Sequence, residues 1–353
     1  MKILVVRFKQ IGDAILSSVI CKSLKETYPD AEIDYVLYDH VAPLFEHQKY
    51  LNKVISISKE EQKNPFKYLK KVWNVTRANY DIVIDIMSTP KSEAFTLFSG
   101  KAKYKIGRWK PKRGYTYTHS IPEPSSEYDK AEKFLKMLDP LVKDGVNVKL
   151  DKNYSLTFLP EEKEELKERM LKVRVDFSKI LIPLAINSRR ESKVYPVDLM
   201  KQLAQKLLET FDCQIILYYS PNEKEFAKKF HEDLNWDKRI VSDINTKSIR
   251  ELGALLSNCD IFVGNEGGPR HLAQAIDIPS FSIFSPGSSK GDWLSRDNKR
   301  HEGIEPGEIL SGESYENLSY EEKYRLITPD IILEKVKEKM LLVPKYIEKN
   351  KGL

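Results

Sequence analysis

Short apolar runs rich in β-branched residues alternate with longer amphipathic runs along the whole chain. That is the pattern of strand–helix–strand units feeding a mostly parallel sheet. In the first half the strand-like runs are residues 3–7, 33–38, 54–58 and 81–87. The last reads as a buried strand because the Ile-Val-Ile-Asp-Ile run has few polar positions. Residues 14–26 place Ile15, Val19 and Leu24 on one helical face, and Pro29 stops the chain soon afterwards. The second half repeats the rhythm with strands at 180–186, 214–219, 240–242, 261–264 and 280–284. Helices are predicted at 197–210, 222–234, 248–258 and 269–276.

A charged helical stretch at 160–173 separates the halves, and the domain boundary is placed just after it, near Asp176. The expected parts are an N-terminal domain over 1–176, a second over 177–327, and a C-terminal helix and tail over 328–353. Thr328 is a plausible cap before Pro329 at the first helical position. This last segment is expected to pack back toward the N-terminal domain, with a frayed Lys-rich end after Pro344.

The length agrees with two domains, because single hydrophobic cores stop growing near about 250–300 residues and this chain has 353. With 41% hydrophobic and 31% charged residues, disordered, collagen-like and disulfide-framework classes are excluded. Fifty-eight Lys and Arg against 52 Asp and Glu give a formal charge of +6, which favours an anionic partner. Cys21, Cys213 and Cys259 lie far apart in no metal-ligand spacing and read as buried free thiols of a reducing compartment. Residues 3–6 run straight into Arg7, too short an apolar run for a signal-peptide core or a membrane span. A cytoplasmic protein is expected.

Four polar segments at predicted strand ends carry the chemistry. After the first strand, Gly12 stands alone where a dinucleotide fingerprint needs three glycines, so a nicotinamide site is set aside. Asp13 opens the following helix, where it is either a cap or a carboxylate kept ionised by the helix's positive end. In the second half, Gly264 leads into Glu266, the Gly267-Gly268 turn, Pro269 and His271. Exposed N–H groups at such a helix start favour a phosphate. The loop after the 180–186 strand brings Asn187 and Ser188 as hydrogen-bond donors and Lys193 as a point charge for a phosphate. Glu223, after the next strand, is placed for ribose hydroxyls.

Residues 101–113 add seven cations and no acid: Lys101, Lys103, Lys105, Arg108, Lys110, Lys112 and Arg113, with Trp109 among them. No nucleic-acid-binding module accompanies them, so no nucleic-acid partner is expected. No Asp-x-Asp metal signature is present, and neither metal nor cofactor is expected.

Taken together, Gly12-Asp13, Lys193-Val-Tyr-Pro and Gly264-Asn-Glu-Gly-Gly-Pro-Arg-His resemble the ADP-heptose:lipopolysaccharide heptosyltransferases, glycosyltransferase family nine. The resemblance spans nearly the whole chain. It implies the α/β GT-B fold, two Rossmann-like doubly wound domains facing across a cleft, with acceptor bound by the first and nucleotide sugar by the second. It also implies a metal-independent, inverting transfer of heptose from ADP-heptose to the lipopolysaccharide inner core. By position, Asp13 would be the general base and Lys193 would act on the leaving diphosphate. The donor would be held by Asn187, Ser188, Lys193, Glu223, the backbone at Lys247, Glu266, Gly267, Gly268 and His271. Arg7, Lys9, Gly12, Arg108, Lys110 and Arg113 would meet the acceptor, and the basic stretch an anionic inner-leaflet surface, making the protein peripheral to the membrane.

The chain has Glu266-Gly267-Gly268 where the family commonly has Asp-Thr-Gly, and Tyr195 where Trp is frequent. A GT-B transferase using another nucleotide sugar, or a non-catalytic sugar- or nucleotide-binding relative, therefore stays open.

Overall fold

The computed structural model describes residues 1–111, 115–295 and 298–351, and the chain divides into two units, Met1–Thr157 and Phe158–Leu353. In the first, the apolar runs become β1 (Lys2–Val6), β2 (Glu32–Tyr38), β3 (Lys53–Ile57), β4 (Ile82–Asp85), β5 (Tyr104–Arg108) and β6 (His119–Ile121). They pair in the order β3-β2-β1-β4-β5-β6, every neighbour parallel. Ile3, Leu4, Val5 and Val6 are all without exposure, as expected of a central strand covered on both faces. Leu4, Val6, Val36, Val83 and Phe95 form one side of the core.

Strands β5 and β6 were not among the predicted strands; β5 lies within the basic stretch. Tyr104 and Ile106 are buried while Lys103 before them and Lys105 between them are not, so the cations hid a period-2 pattern. Gly107 is required there because the Tyr117 ring occupies the space a Cβ would take.

The second unit repeats the plan with β7 (Ile180–Ala185), β8 (Cys213–Ile216), β9 (Ile240–Val241), β10 (Phe262–Asn265), β11 (Ser280–Ile283) and β12 (His301–Ile304). The order is β12-β11-β10-β7-β8-β9, again all parallel. Gly264 in β10 has φ +124°, and a Cβ there would sit 2.6 Å from the Ala185 carbonyl oxygen of β7. Only glycine permits this pair of strands to approach so closely.

Both sheets reverse direction of growth at their middle, between β1 and β4 and between β7 and β10. Ligands of open α/β sheets bind outside the carboxyl ends of the strands at such a point.

The boundary falls before the Pro160–Lys172 helix, not after it near Asp176. Phe158 fills the space beside Gly253, the Arg250 guanidinium lies 5.1 Å from the Phe158 ring centre, and Arg250 grips Glu162 with both arms at 2.5 and 2.7 Å. These contacts make the charged helix part of the second unit. The Pro329–Met340 helix also belongs there: Ile332, Val336 and Met340 join Leu203 and Leu207 in the second unit's core, where the sequence reading had sent the helix toward the first domain. Thr328 does cap it, accepting from the Ile331 N–H at 3.4 Å.

Nor do the described residues after Pro344 fray. Pro344–Asn350 is helical, Lys345 reaches Asp260 at 2.8 Å, and Tyr346 meets Phe211 edge-on at 5.9 Å. All three cysteines are buried and free. No described helix is long and apolar enough to cross a membrane.

Candidate active site

In the first unit, β1 runs into a short loop and then the Ile11–Thr27 helix, whose capping position is Gln10. Asp13 therefore lies in the first turn and is not the cap. Its Oδ1 accepts from Arg7 Nη2 at 2.8 Å, and its Oδ2 has no protein partner among the described residues. Arg7, expected to meet an acceptor anion, is almost buried; Nη2 is held by Asp13, while its buried Nε has no hydrogen-bond partner among the described residues. Its guanidinium stacks 4.9 Å from the centre of the Phe134 ring, and Nη1 lies 3.9 Å from the Met87 sulfur. Gly12 is half-buried in the same turn and Lys9 is exposed before it.

Of the other acceptor candidates, Lys110 is exposed and Arg113 lies outside the described residues. Arg108 is a structural cation and not a surface one. It is buried and donates to the carbonyls of Pro122 and Lys133, and desolvation holds its pKa below the usual arginine value.

Asp85, at the end of β4 and opposite Val6 of β1, did not figure in the sequence reading of the site. It is wholly buried, and its carboxylate accepts from the Met87 and Ser88 N–H groups at 2.9 and 3.0 Å and from the Tyr117 hydroxyl at 2.7 Å. Burial pushes its pKa up to about 6 against the lowering effect of those hydrogen bonds. These bonds fix the loop after β4, in which Ser88 adopts φ +48°. Met87 of that loop is the residue against which Arg7 rests. Asp85 thus positions Arg7, and through it Asp13. Its signal in the sequence was a lone acid in an otherwise apolar buried run.

In the second unit the predicted donor residues sit on successive strand ends. After β7, the turn Glu191–Lys193 brings Lys193 Nζ to Glu266 Oε2 at 2.7 Å and Ser288 Oγ at 2.9 Å. Glu266 follows β10; its Oε1 accepts from Ser285 through N–H at 3.2 Å and Oγ at 2.9 Å. Burial would raise the Glu266 pKa, but the hydrogen bonds from Lys193, Ser288 and Ser285 hold it below the usual glutamate range. Ser285 and Ser288, in the loop after β11, were missed because only their folded position distinguishes them from ordinary loop serines.

A second cluster joins Asn187 Nδ2 to Glu223 Oε1 at 2.9 Å, with Ser220 donating to Glu223 Oε2 from N and Oγ at 2.8 and 2.6 Å. Ser188 donates its N–H to Asn187 Oδ1, and the Lys247 N–H is taken by Glu251 at 2.8 Å. Gly267 caps the Gly268–Ala275 helix without a side chain, leaving its first-turn N–H groups without a side-chain cap. His271, one turn in, is nearly buried against Arg270 and Trp293, the indole ring centre 5.3 Å away. Tyr195 donates its N–H to Asn265 Oδ1 at 2.9 Å and its hydroxyl to the Ile327 carbonyl.

Each of the two doubly wound units gathers polar groups at its switch point. A family model described as glycosyltransferase family 9 (heptosyltransferase) matches residues 69–295. The chain belongs to glycosyltransferase family 9.

The matched segment of this glycosyltransferase contains Lys193, Glu223, Glu266 and His271 and begins beyond Asp13. Lipopolysaccharide heptosyltransferase 1 of Campylobacter coli is 23% identical over 80% of this chain and 84% of its own length. Lipooligosaccharide heptosyltransferase 2 of Haemophilus influenzae is 22% identical over 96% of this chain and 99% of its own length. Among solved structures, ADP-heptose lipopolysaccharide heptosyltransferase II of E. coli superposes with a TM-score of 0.75 at 19% identity, covering 97% of this chain and 99% of that one. A family 9 glycosyl transferase of Veillonella parvula gives 0.80 at 17%, covering 96% and 97%. At these identities the likeness establishes the GT-B fold.

Proposed function

We propose that this glycosyltransferase moves a heptose from ADP-heptose to the inner core of lipopolysaccharide, inverting the anomeric carbon, with Asp13 as general base. The observation that carries the reading is Asp13 itself: a carboxylate at the switch point of the first unit, with one oxygen held by Arg7 and the other without a protein partner among the described residues. The family and the relatives' names supply the sugar and the acceptor class.

In the proposed displacement, Asp13 Oδ2 takes the proton of the acceptor hydroxyl as that oxygen attacks, which requires hydrogen-bond reach and a fixed orientation. Arg7 supplies the orientation. Charge then develops on the departing ADP. An ammonium has three donors, and Lys193 uses two on Glu266 and Ser288, which leaves one for a phosphate oxygen. The uncapped N–H groups at the start of the Gly268–Ala275 helix add preorganised donors. Asn187 and Ser220 orient Glu223, whose carboxylate suits ribose hydroxyls. The scheme draws on no metal or cofactor, and the nucleotide sugar is a substrate. Because the acceptor is an anionic glycolipid, we place the protein in the cytoplasm and peripherally at the inner face of the cytoplasmic membrane.

Melting curves with ADP, UDP, GDP and CDP test the donor assignment. A nucleotide at about 100 times its dissociation constant stabilises by about 2.7 kcal/mol, and ADP is the one expected to act. A shift with UDP alone would move the reading to another nucleotide sugar, the possibility raised by Glu266-Gly267-Gly268. Asp13→Ala should abolish heptose transfer while keeping the ADP shift; an active variant would remove Asp13 as the base.

A further inference from the structure

The first unit leaves part of its apolar surface uncovered. Asn64 caps the Pro65–Thr76 helix by accepting from the Phe66 and Lys67 N–H groups. Tyr68 and Val72 of that helix enter the core. Phe66, Leu69 and Trp73, spaced three and four residues apart, share the opposite side, with exposures of 85%, 45% and 52%. Trp73 meets Phe98 edge-on at 5.8 Å, which carries the patch onto the end of the Pro90–Phe98 helix, where Leu97 is also exposed.

Charge borders the patch. At 100° per residue, Arg77, Lys70 and Lys67 follow directly round the helix from Phe66, and all three are exposed. Residues 59–77 hold six Lys or Arg and two acids, a net of 6 − 2 = +4. The two acids are occupied by Lys67, which pairs with Glu60, and Lys71, 3.7 Å from Glu61.

We propose that this patch is the surface on which the protein seats against an anionic phospholipid bilayer, its rings at the acyl boundary and its cations among the headgroups. The inference rests on the membrane reading given above and names the surface responsible. An apolar strip beside a cationic strip on one helix is the arrangement of interfacial helices, and exposed aromatics are favoured at the headgroup level. A second copy of the chain fits poorly, because a two-fold contact would set Lys70 and Arg77 against their own counterparts.

Flotation with phosphatidylethanolamine vesicles containing phosphatidylglycerol, compared with neutral phosphatidylcholine vesicles, tests it. Wild type should bind the anionic vesicles. Phe66→Ser with Trp73→Ser should weaken binding on the order of tenfold or more per ring lost. Lys70→Glu with Arg77→Glu should weaken it by roughly fivefold or more per charge. Lys238→Glu, in the other unit, should change nothing, and melting temperatures report that each variant folds. Wild type failing to bind would overturn the membrane reading and this proposal with it. If wild type binds and either pair of substitutions leaves binding intact, the membrane reading stands and the patch assignment falls. A wild-type dimer dissolved by Phe66→Ser with Trp73→Ser would likewise overturn it, assigning the patch to a second copy.

Discussion

Glu266→Gln isolates the charge at the centre of the second unit's polar cluster while preserving side-chain shape. Glu266 is 5% exposed and accepts from Lys193 Nζ and from the Ser285 N–H and hydroxyl, with Ser288 beside them. A carboxamide offers one acceptor oxygen where the carboxylate offers two. If that oxygen keeps Lys193, the new NH2 group opposes the Ser285 N–H, a mismatch of about 1–3 kcal/mol for a buried group. Lys193 also loses its counter-charge. Removing one partner of a fully buried pair costs about 3–5 kcal/mol, but the Lys193 side chain is one-fifth exposed, so solvent reduces that penalty.

The expected net loss is about 2–3 kcal/mol, or roughly 5–10 °C in melting temperature for a unit of this size. The pH dependence has a definite sign. The folded Glu266 pKa lies below the unfolded value, so its contribution is present above the unfolded value of about 4.3 and disappears as pH falls through the folded one. Chemical denaturation of wild type and variant should therefore show a constant gap from pH 8 to about 5, closing only in more acidic solution. A variant as stable as wild type, or a gap that vanishes between pH 7 and 5, would refute the pairing.

Asp85 should show the opposite slope. Its pKa is raised to about 6 by burial, so its contribution is greatest below the unfolded value and is lost as pH rises through 6. The stability gap between wild type and Asp85→Asn should move by roughly 2 kcal/mol in the variant's favour between pH 4 and 7, each tenfold change in proton affinity being worth about 1.36 kcal/mol; denaturation curves showing a pH-independent gap would contradict it. Gly264→Ala combines a left-handed φ with a Cβ pressed on the β7 backbone and should cost about 3 kcal/mol. Gly267→Ala, whose Cβ would meet only the Pro269 ring at 3.8 Å, should unfold at nearly the wild-type denaturant concentration, and equal losses in the two would disprove the steric argument.

Central strands were legible because burial on both faces writes a continuous apolar run, as in Ile3–Val6 and residues 180–185. Strands that carry charge were not: Lys105 in β5, His119 in β6, and His301 and Glu302 at the start of β12 mask the alternation. The Asp13, Lys193, Glu223 and Glu266 positions were readable as polar residues following apolar strands. That Arg7 and Arg108 are buried was not legible, because a cation's sequence neighbours do not reveal whether its guanidinium meets solvent, a carboxylate or buried carbonyls.

The sequence by itself determined the α/β alternation, the strand ends that bear polar residues, and the family, since each depends on residues close together in the chain. Only the tertiary structure decided which strand ends become neighbours. Lys193 is 73 residues from Glu266 and 95 from Ser288, and their meeting depends on β7 pairing with β10 and β10 with β11. Asp85 supports Arg7, 78 positions away by number, because β4 pairs with β1. Backbone hydrogen bonds between strands are non-local and indifferent to side-chain identity, so no local pattern records them. The same holds for the exposed rings at Phe66 and Trp73: the helical period put them on one face, and packing decided that this face would remain uncovered.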